Sequence, residues 1–168
     1  MLTASKIINY THFSKHSYEL FGLGIAAMSL ALGKAMINSG LAEIIAHGFL
    51  TVFQPLGIIG LLAGLFIITG LIASYMTNIT AVSIVFPIAY SIAISLLANG
   101  MLNTITPFVL IVAYGASANY ITPVGYLTNI MIYSTGSYRF KDFFKVGFPL
   151  WILHLVVSVS IIYFVYIH

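Results

Sequence analysis

From Ile44 to Tyr138 the sequence contains no Asp, Glu, Lys or Arg. A run of that length without charge cannot cover a water-facing surface, so it must lie in lipid or inside protein. In hydrocarbon every backbone N–H and C=O has to find a partner within the chain, which leaves helices to do the spanning here. Non-helical backbone survives at that depth only where it lines a cavity or packs against protein. The composition agrees, with 5% charged and 61% hydrophobic residues among 168, where soluble domains carry about 25% charged residues. The expectation is an all-α integral membrane protein whose first partner is the lipid bilayer.

Inside the uncharged region a polar knot, Ser74-Tyr75-Met76-Thr77-Asn78-Ile79-Thr80, separates two apolar arms, Pro55–Ala73 and Ala81–Ala98. Hydroxyls and an amide at such depth are costly unless they bind something; the reading adopted is an ion and an anionic solute. The arms fit two full spans or a re-entrant hairpin over 54–98 with its tip near 74–80. The hairpin is preferred, because its tip can meet a second interruption.

That second interruption is Thr122-Pro123-Val124-Gly125-Tyr126-Leu127-Thr128-Asn129. Pro123 removes a backbone donor and Gly125 frees the chain, so a discontinuous helix over 105–136 should break near 118–128. Around these lie a spanning helix over 18–37 with Lys34 snorkelling, a short interfacial helix over 41–51, and a spanning helix over 146–166. Pro149 is expected to kink the last, and Trp151 and Tyr163 to anchor it at the interfaces. Gly57, Gly60, Gly64 and Gly70 punctuate the first arm, where small residues let helices approach closely. The whole of 1–168 reads as one membrane domain.

Basic residues set the topology. Arg139, Lys141 and Lys145 mark a cytoplasmic loop over 138–145. Counting outward from it places the N-terminal Lys6 and Lys15 inside and the C-terminus outside. The sequence pI of about 9.2 therefore speaks to orientation, and nucleic acid is not an expected partner. Met1–Tyr18 is too polar for a signal-peptide core. With no cysteine, disulfides and thiolate metal sites are excluded. His12, His16, His47 and His168 lie outside the spans, and His154 stands alone within the last, so no histidine metal site is expected. Without an intramembrane acid or a Ser–His pair, catalysis reads as absent.

At the two interruptions the chain resembles the divalent anion:sodium symporter family, and the resemblance covers about Phe21 to the C-terminus. The stretches that carry it are Thr77-Asn78-Ile79-Thr80-Ala81, Phe86-Pro87-Ile88-Ala89 and Ala116–Asn129. The run Gly136–Leu150 is similar to the branch that often carries cytoplasmic TrkA-type regulatory domains. The resemblance implies one repeat of an inverted-repeat secondary transporter with a re-entrant helical hairpin and a broken transmembrane helix. It implies sodium as the bound coupling ion, no organic cofactor, and a divalent or inorganic anion, sulfate-like or dicarboxylate, as substrate. The implied sodium and anion ligands are Thr77, Asn78, Ile79, Thr80, Gly125, Tyr126, Thr128 and Asn129, with the sodium held through Thr77, Asn78 and Gly125. The chain would be the C-terminal half of the carrier, partnered by the missing N-terminal repeat and by a second copy in a homodimer, in a bacterial inner membrane.

The chemistry agrees independently. Sodium prefers oxygen donors, which unwound carbonyls, Asn and Thr supply, while half-helix N-termini offer N–H groups to an anion. The sequence departs from the family pattern in having Ile79 at the third tip position and Tyr126-Leu127-Thr128 where dicarboxylate carriers tend to have a Thr-Pro-Pro run. The plainer readings are polar contacts across helix packing for Thr77, Asn78 and Thr80, and a ligand-free Pro/Gly kink for Thr122–Asn129. The alternative function is a vestigial or accessory half-carrier that packs in the membrane without transporting.

Overall fold

The computed structural model describes residues 27, 28, 31, 34–101, 105–136 and 138–167. Its elements are helix α1 (Leu41–Phe53), a 3-10 turn (Gln54–Leu56), and helices α2 (Gly57–Tyr75), α3 (Asn78–Ala98), α4 (Ile105–Ser117), α5 (Leu127–Thr135) and α6 (Phe140–Tyr166). No strand occurs among the described residues. Of the helix expected over 18–37, positions 27, 28, 31 and 34–37 are described and are helical; the remainder lies outside the described residues, as do His12, His16 and His168.

Each boundary has a local cause. Gly40 (φ 72°) precedes α1 and Gly57 (φ 70°) follows the 3-10 turn, both in the left-handed region that favours glycine. α1 buries Ala42, Ala46 and Phe49 along one face, the spacing of an amphipathic stripe. It runs into α2 through only the Gln54–Leu56 turn, so Leu41–Tyr75 forms one of three segments, among the described residues, long and apolar enough to cross a membrane. The others are α3 and α6. At the end of α3, Gly100 (φ 90°) lets its N–H reach Leu97 O at 3.0 Å and the Met101 N–H reach Leu96 O at 3.1 Å, the paired bonds of a Schellman ending. These segments make the chain an integral membrane protein.

α4 occupies the middle, packed against α2, α3 and α6. Phe66, Leu62, Leu65, Ile92, Phe108, Ile111 and Val112 are almost wholly buried at that centre. Close approach depends on two glycines. A Cβ on Gly115 of α4 would lie 2.9 Å from Thr69 Cβ and 3.0 Å from Phe66 O, both on α2. A Cβ on Gly70 of α2 would lie 2.7 Å from Trp151 Nε1 on α6.

Two features of α6 differ from the sequence expectation. The charged segment expected as a loop is mostly helix: α6 starts at Phe140, and the Arg139 N–H donates to Asp142 Oδ2 at 2.8 Å. That carboxylate satisfies an otherwise orphaned donor and stands at the positive end of the helix dipole. The second is a correction. Trp151 does not anchor an interface; it is 6% exposed, tilted against Phe66 with ring centroids 5.5 Å apart. The notch above Gly70 accepts the indole, and the packing outweighs an indole N–H that finds no partner.

Gly70→Ala is therefore expected to lower stability by about 1–3 kcal/mol through overpacking against Trp151. Gly48→Ala, where a Cβ meets nothing within 4 Å, should gain up to about 1 kcal/mol of helix propensity. Thermal unfolding in detergent separates the two; equal midpoints would contradict the packing described.

Candidate functional site

The turn between α2 and α3 is short: Met76 and Thr77 are the only residues between the helices, both extended. Thr77 caps α3, its Oγ1 accepting from Thr80 N–H at 3.2 Å and lying 2.8 Å from Thr80 Oγ1. Opposite this turn the chain leaves helical structure. α4 stops at Ser117, residues 118–126 are irregular, and α5 begins at Leu127 after an extended Tyr126. Pro123 cannot donate, and Gly125 is held where a side chain would not fit. A Cβ there would stand 2.8 Å from Asn119 O, 2.9 Å from Ser74 O and 3.1 Å from Ala73 O. The broken segment thus presses its backbone against the last turn of α2.

Amide and hydroxyl groups tie the two irregular stretches together. Asn119 Nδ2 donates to Asn78 Oδ1 at 2.7 Å and to Gly125 O at 3.3 Å. Asn129 Nδ2 donates to Asn119 O at 3.4 Å and Thr122 O at 3.3 Å. The Thr122 hydroxyl donates to Ser74 O and accepts from the Gly125 N–H at 3.2 Å. Asn119, Thr122 and Ser74 are all buried. With their amide nitrogens committed to protein oxygens, Asn119 and Asn129 keep their Oδ1 atoms as acceptors.

Four helix ends meet here. α3 and α5 bring N-terminal, partially positive ends, and α2 and α4 bring C-terminal, partially negative ones. N–H groups at the former suit an anion, and carbonyls at the latter suit a cation. Alongside, a pocket of about 310 Å³ lies between α5 and the start of α6, with Tyr120, Asn129, Tyr138 and Asp142 among its lining residues.

Of the residues expected at a site, the structure gathers Asn78, Gly125 and Asn129 into one hydrogen-bonded network. Thr77 and Thr80 pair with each other beside it. Ile79 and Tyr126 are 44% and 53% exposed, and Thr128 is exposed on the first turn of α5, so the side chains of these three stand outside the network. Sequence reasoning did not assign Asn119, Thr122 or Ser74 to the site, although the network centres on them. A signal was available: Asn119 closes the small-residue run Gly115–Ala118, and Thr122 precedes Pro123, both inside the predicted break.

Spanning helices and a broken helix with polar groups gathered at the break define an integral membrane protein built as transporters are. The family described as Citrate transporter matches residues 7–168, and the chain belongs to that family, which is related to the divalent anion:sodium symporters. It is similar to a protein of Chlamydomonas reinhardtii named as a sulfur deprivation response regulator, 34% identical over 80% of this chain and 22% of the relative. It is similar to an uncharacterised transporter of Synechocystis sp., 31% identical over 82% of this chain and 22% of the relative. Sodium/sulfate cotransporter 1 of C. reinhardtii is 27% identical over 79% of this chain and 14% of its own length. The chain spans about a fifth or less of the length of these relatives.

Asn119→Ala should cost about 1–3 kcal/mol, because it leaves buried acceptors without their donor. In a double-mutant cycle with Asn78→Ala the two changes should couple by at least about 0.5 kcal/mol. Strict additivity in urea or thermal unfolding would mean that the Asn78–Asn119 bond does not join the two stretches.

Proposed function

We propose that this chain forms an ion- and anion-binding part of a sodium-coupled carrier for a divalent or inorganic anion, sulfate-like or dicarboxylate. The observation that carries the reading is the meeting of two helix N-termini and two helix C-termini around Asn78, Asn119, Gly125 and Asn129. The donor set fits sodium, since every group it presents to a cation is a carbonyl, amide or hydroxyl oxygen. Asn78 Oδ1, Thr77 Oγ1 and the Gly125 carbonyl would hold the ion. The ion would supply positive charge that the site otherwise lacks, so that an anion needs no lysine.

The anion would then meet the N-terminal turns of α3 and α5. These offer backbone N–H groups near Ile79, Tyr126 and Thr128, and the hydroxyls of Thr80 and Thr128. Sulfate is supported by relatives named sodium/sulfate cotransporters, and the departure at Tyr126-Leu127-Thr128 from a Thr-Pro-Pro run points the same way. In this reading the α2–α3 turn is the tip of a re-entrant hairpin and the chain supplies one repeat. A second repeat and a second copy complete the carrier, with Arg139, Lys141 and Lys145 facing the cytoplasm of a bacterial cell and the C-terminus outside. By itself the chain would bind without driving flux.

The test is thermal unfolding of the purified chain titrated with sodium chloride, against potassium chloride at equal ionic strength, with and without sulfate or succinate. Binding to the folded state raises the midpoint in proportion to ln(1 + [L]/Kd). The expected result is a sodium-specific rise, enlarged by one anion and removed by Asn78→Ala or Asn129→Ala. A midpoint that responds equally to sodium and potassium and to neither anion would overturn the reading.

A further inference from the structure

Among the described residues, the last helix meets the broken segment at Tyr120 and Ile121, and Tyr120 is engaged at both of its ends. At one end, Gly147 of α6 lies against the Tyr120 carbonyl, and a Cβ on Gly147 would stand 3.0 Å from Ile121 Cα. At the other end, two turns further along α6, His154 Nδ1 lies 2.8 Å from the Tyr120 hydroxyl. The two rings also stack, with centroids 6.2 Å apart at 24°. Tyr120 is thus laid along α6 and gripped at its backbone and at its tip.

Its neighbour in sequence is Asn119, whose amide joins Asn78 to Gly125. Any slide of Tyr120 along α6 therefore moves that amide. His154 is nine residues beyond Lys145, about 13 Å deeper along the helix, and an ionisable side chain at membrane depth is a candidate for a functional role together with its partner.

We propose that His154 is a positioning residue for the binding site: in its neutral form it fixes Tyr120, and through Tyr120 it sets the register of Asn119 against Asn78. The chemistry sets the condition. A neutral imidazole protonated at Nε2 accepts the tyrosine O–H at Nδ1. A second proton would occupy Nδ1, so the bond would have to reverse and the phenol hydrogen would lose its acceptor. No carboxylate stands against the ring among the described residues to pair with an imidazolium. α2 presents Phe66, its ring nearly perpendicular to the imidazole at 5.2 Å, and α4 presents Tyr114 at 6.3 Å, and neither carries a negative charge. The titratable groups that face the ring are Tyr114 and Tyr120, and the charged residues of α6, namely Lys141, Asp142 and Lys145, lie more than two turns away. Acidification therefore loosens Tyr120 and weakens ligand binding. This rests on the reading of the site given above.

Two readouts test it. Hydrogen-exchange protection of the amides of 118–126 is followed in the ligand-free chain at about pH 7.5 and about pH 5.5, on either side of the ordinary histidine value. Sodium- and sulfate-dependent thermal shifts are measured at the same two values. In the wild type, protection should fall several-fold and the ligand shift should shrink on acidification. His154→Gln, which keeps an acceptor that cannot be protonated, should hold both near their neutral values at either pH. His154→Phe and Tyr120→Phe should lower both at either pH, while the amides of α2–α4 stay protected.

Protection in 118–126 that is unchanged by His154→Phe, or a pH response that persists in His154→Gln, overturns the proposal. Should the protection changes appear while the wild type responds to neither sodium nor sulfate, the coupling from His154 to the break is supported and only the ligand reading fails.

Discussion

An interrupted helix inside hydrocarbon leaves backbone donors and acceptors that water cannot reach, and everything around the break depends on how they are satisfied. Here side chains take that role. Thr122 bonds the last turn of α2 through Ser74 O, Asn129 closes on the carbonyls of Asn119 and Thr122, and Asn119 spans from Asn78 to Gly125. Four of them give partners to carbonyls at the end of α2 and within the break, and the fifth joins two side chains across it. With their nitrogens so engaged, Asn119 and Asn129 keep amide oxygens that can only accept.

Packing determines where that repaired break stands. α4 is central because Gly115 lets its backbone meet Phe66 and Thr69 of α2 at van der Waals distance. In lipid no hydrophobic force gathers helices, so close backbone approach and dispersion must do so. Gly70 and Gly147 repeat the device on the α6 side, one receiving the indole of Trp151 and the other the backbone of Tyr120. Large apolar side chains of α6, including Phe144, Phe148, Leu153 and Phe164, are left exposed. Membership in a transporter family accords with such a frame, in which a broken helix is supported on one side by the α2–α3 turn and on the other by α6.

Much of this was legible in the residues. Absence of charge from Ile44 to Tyr138 implies spanning helices, because charge is what lipid excludes. Pro123 and Gly125 imply a break, because one lacks a donor and the other lacks a Cβ. The polar knot at Ser74–Thr80 implies a turn, and the helices on either side of it end at Tyr75 and begin at Asn78. Less legible were the limits of α6 and the place of Trp151. A basic cluster reads the same as a loop or as a helix start until Asp142 is seen accepting from Arg139 N–H. A tryptophan near the start of a span reads as an anchor until the notch at Gly70 is known.

By itself, then, the sequence determined the class of protein, the number and position of its interruptions, and the kinds of atom available at them, since hydropathy, proline and glycine act locally. Tertiary structure alone decided that Asn119, 41 residues from Asn78, is the group that joins them, and that Tyr120 answers to His154, 34 residues away. Pairings of that separation depend on which helices lie side by side. In a membrane that is decided by the fit of small residues against large ones across many positions, and no single stretch of sequence contains it.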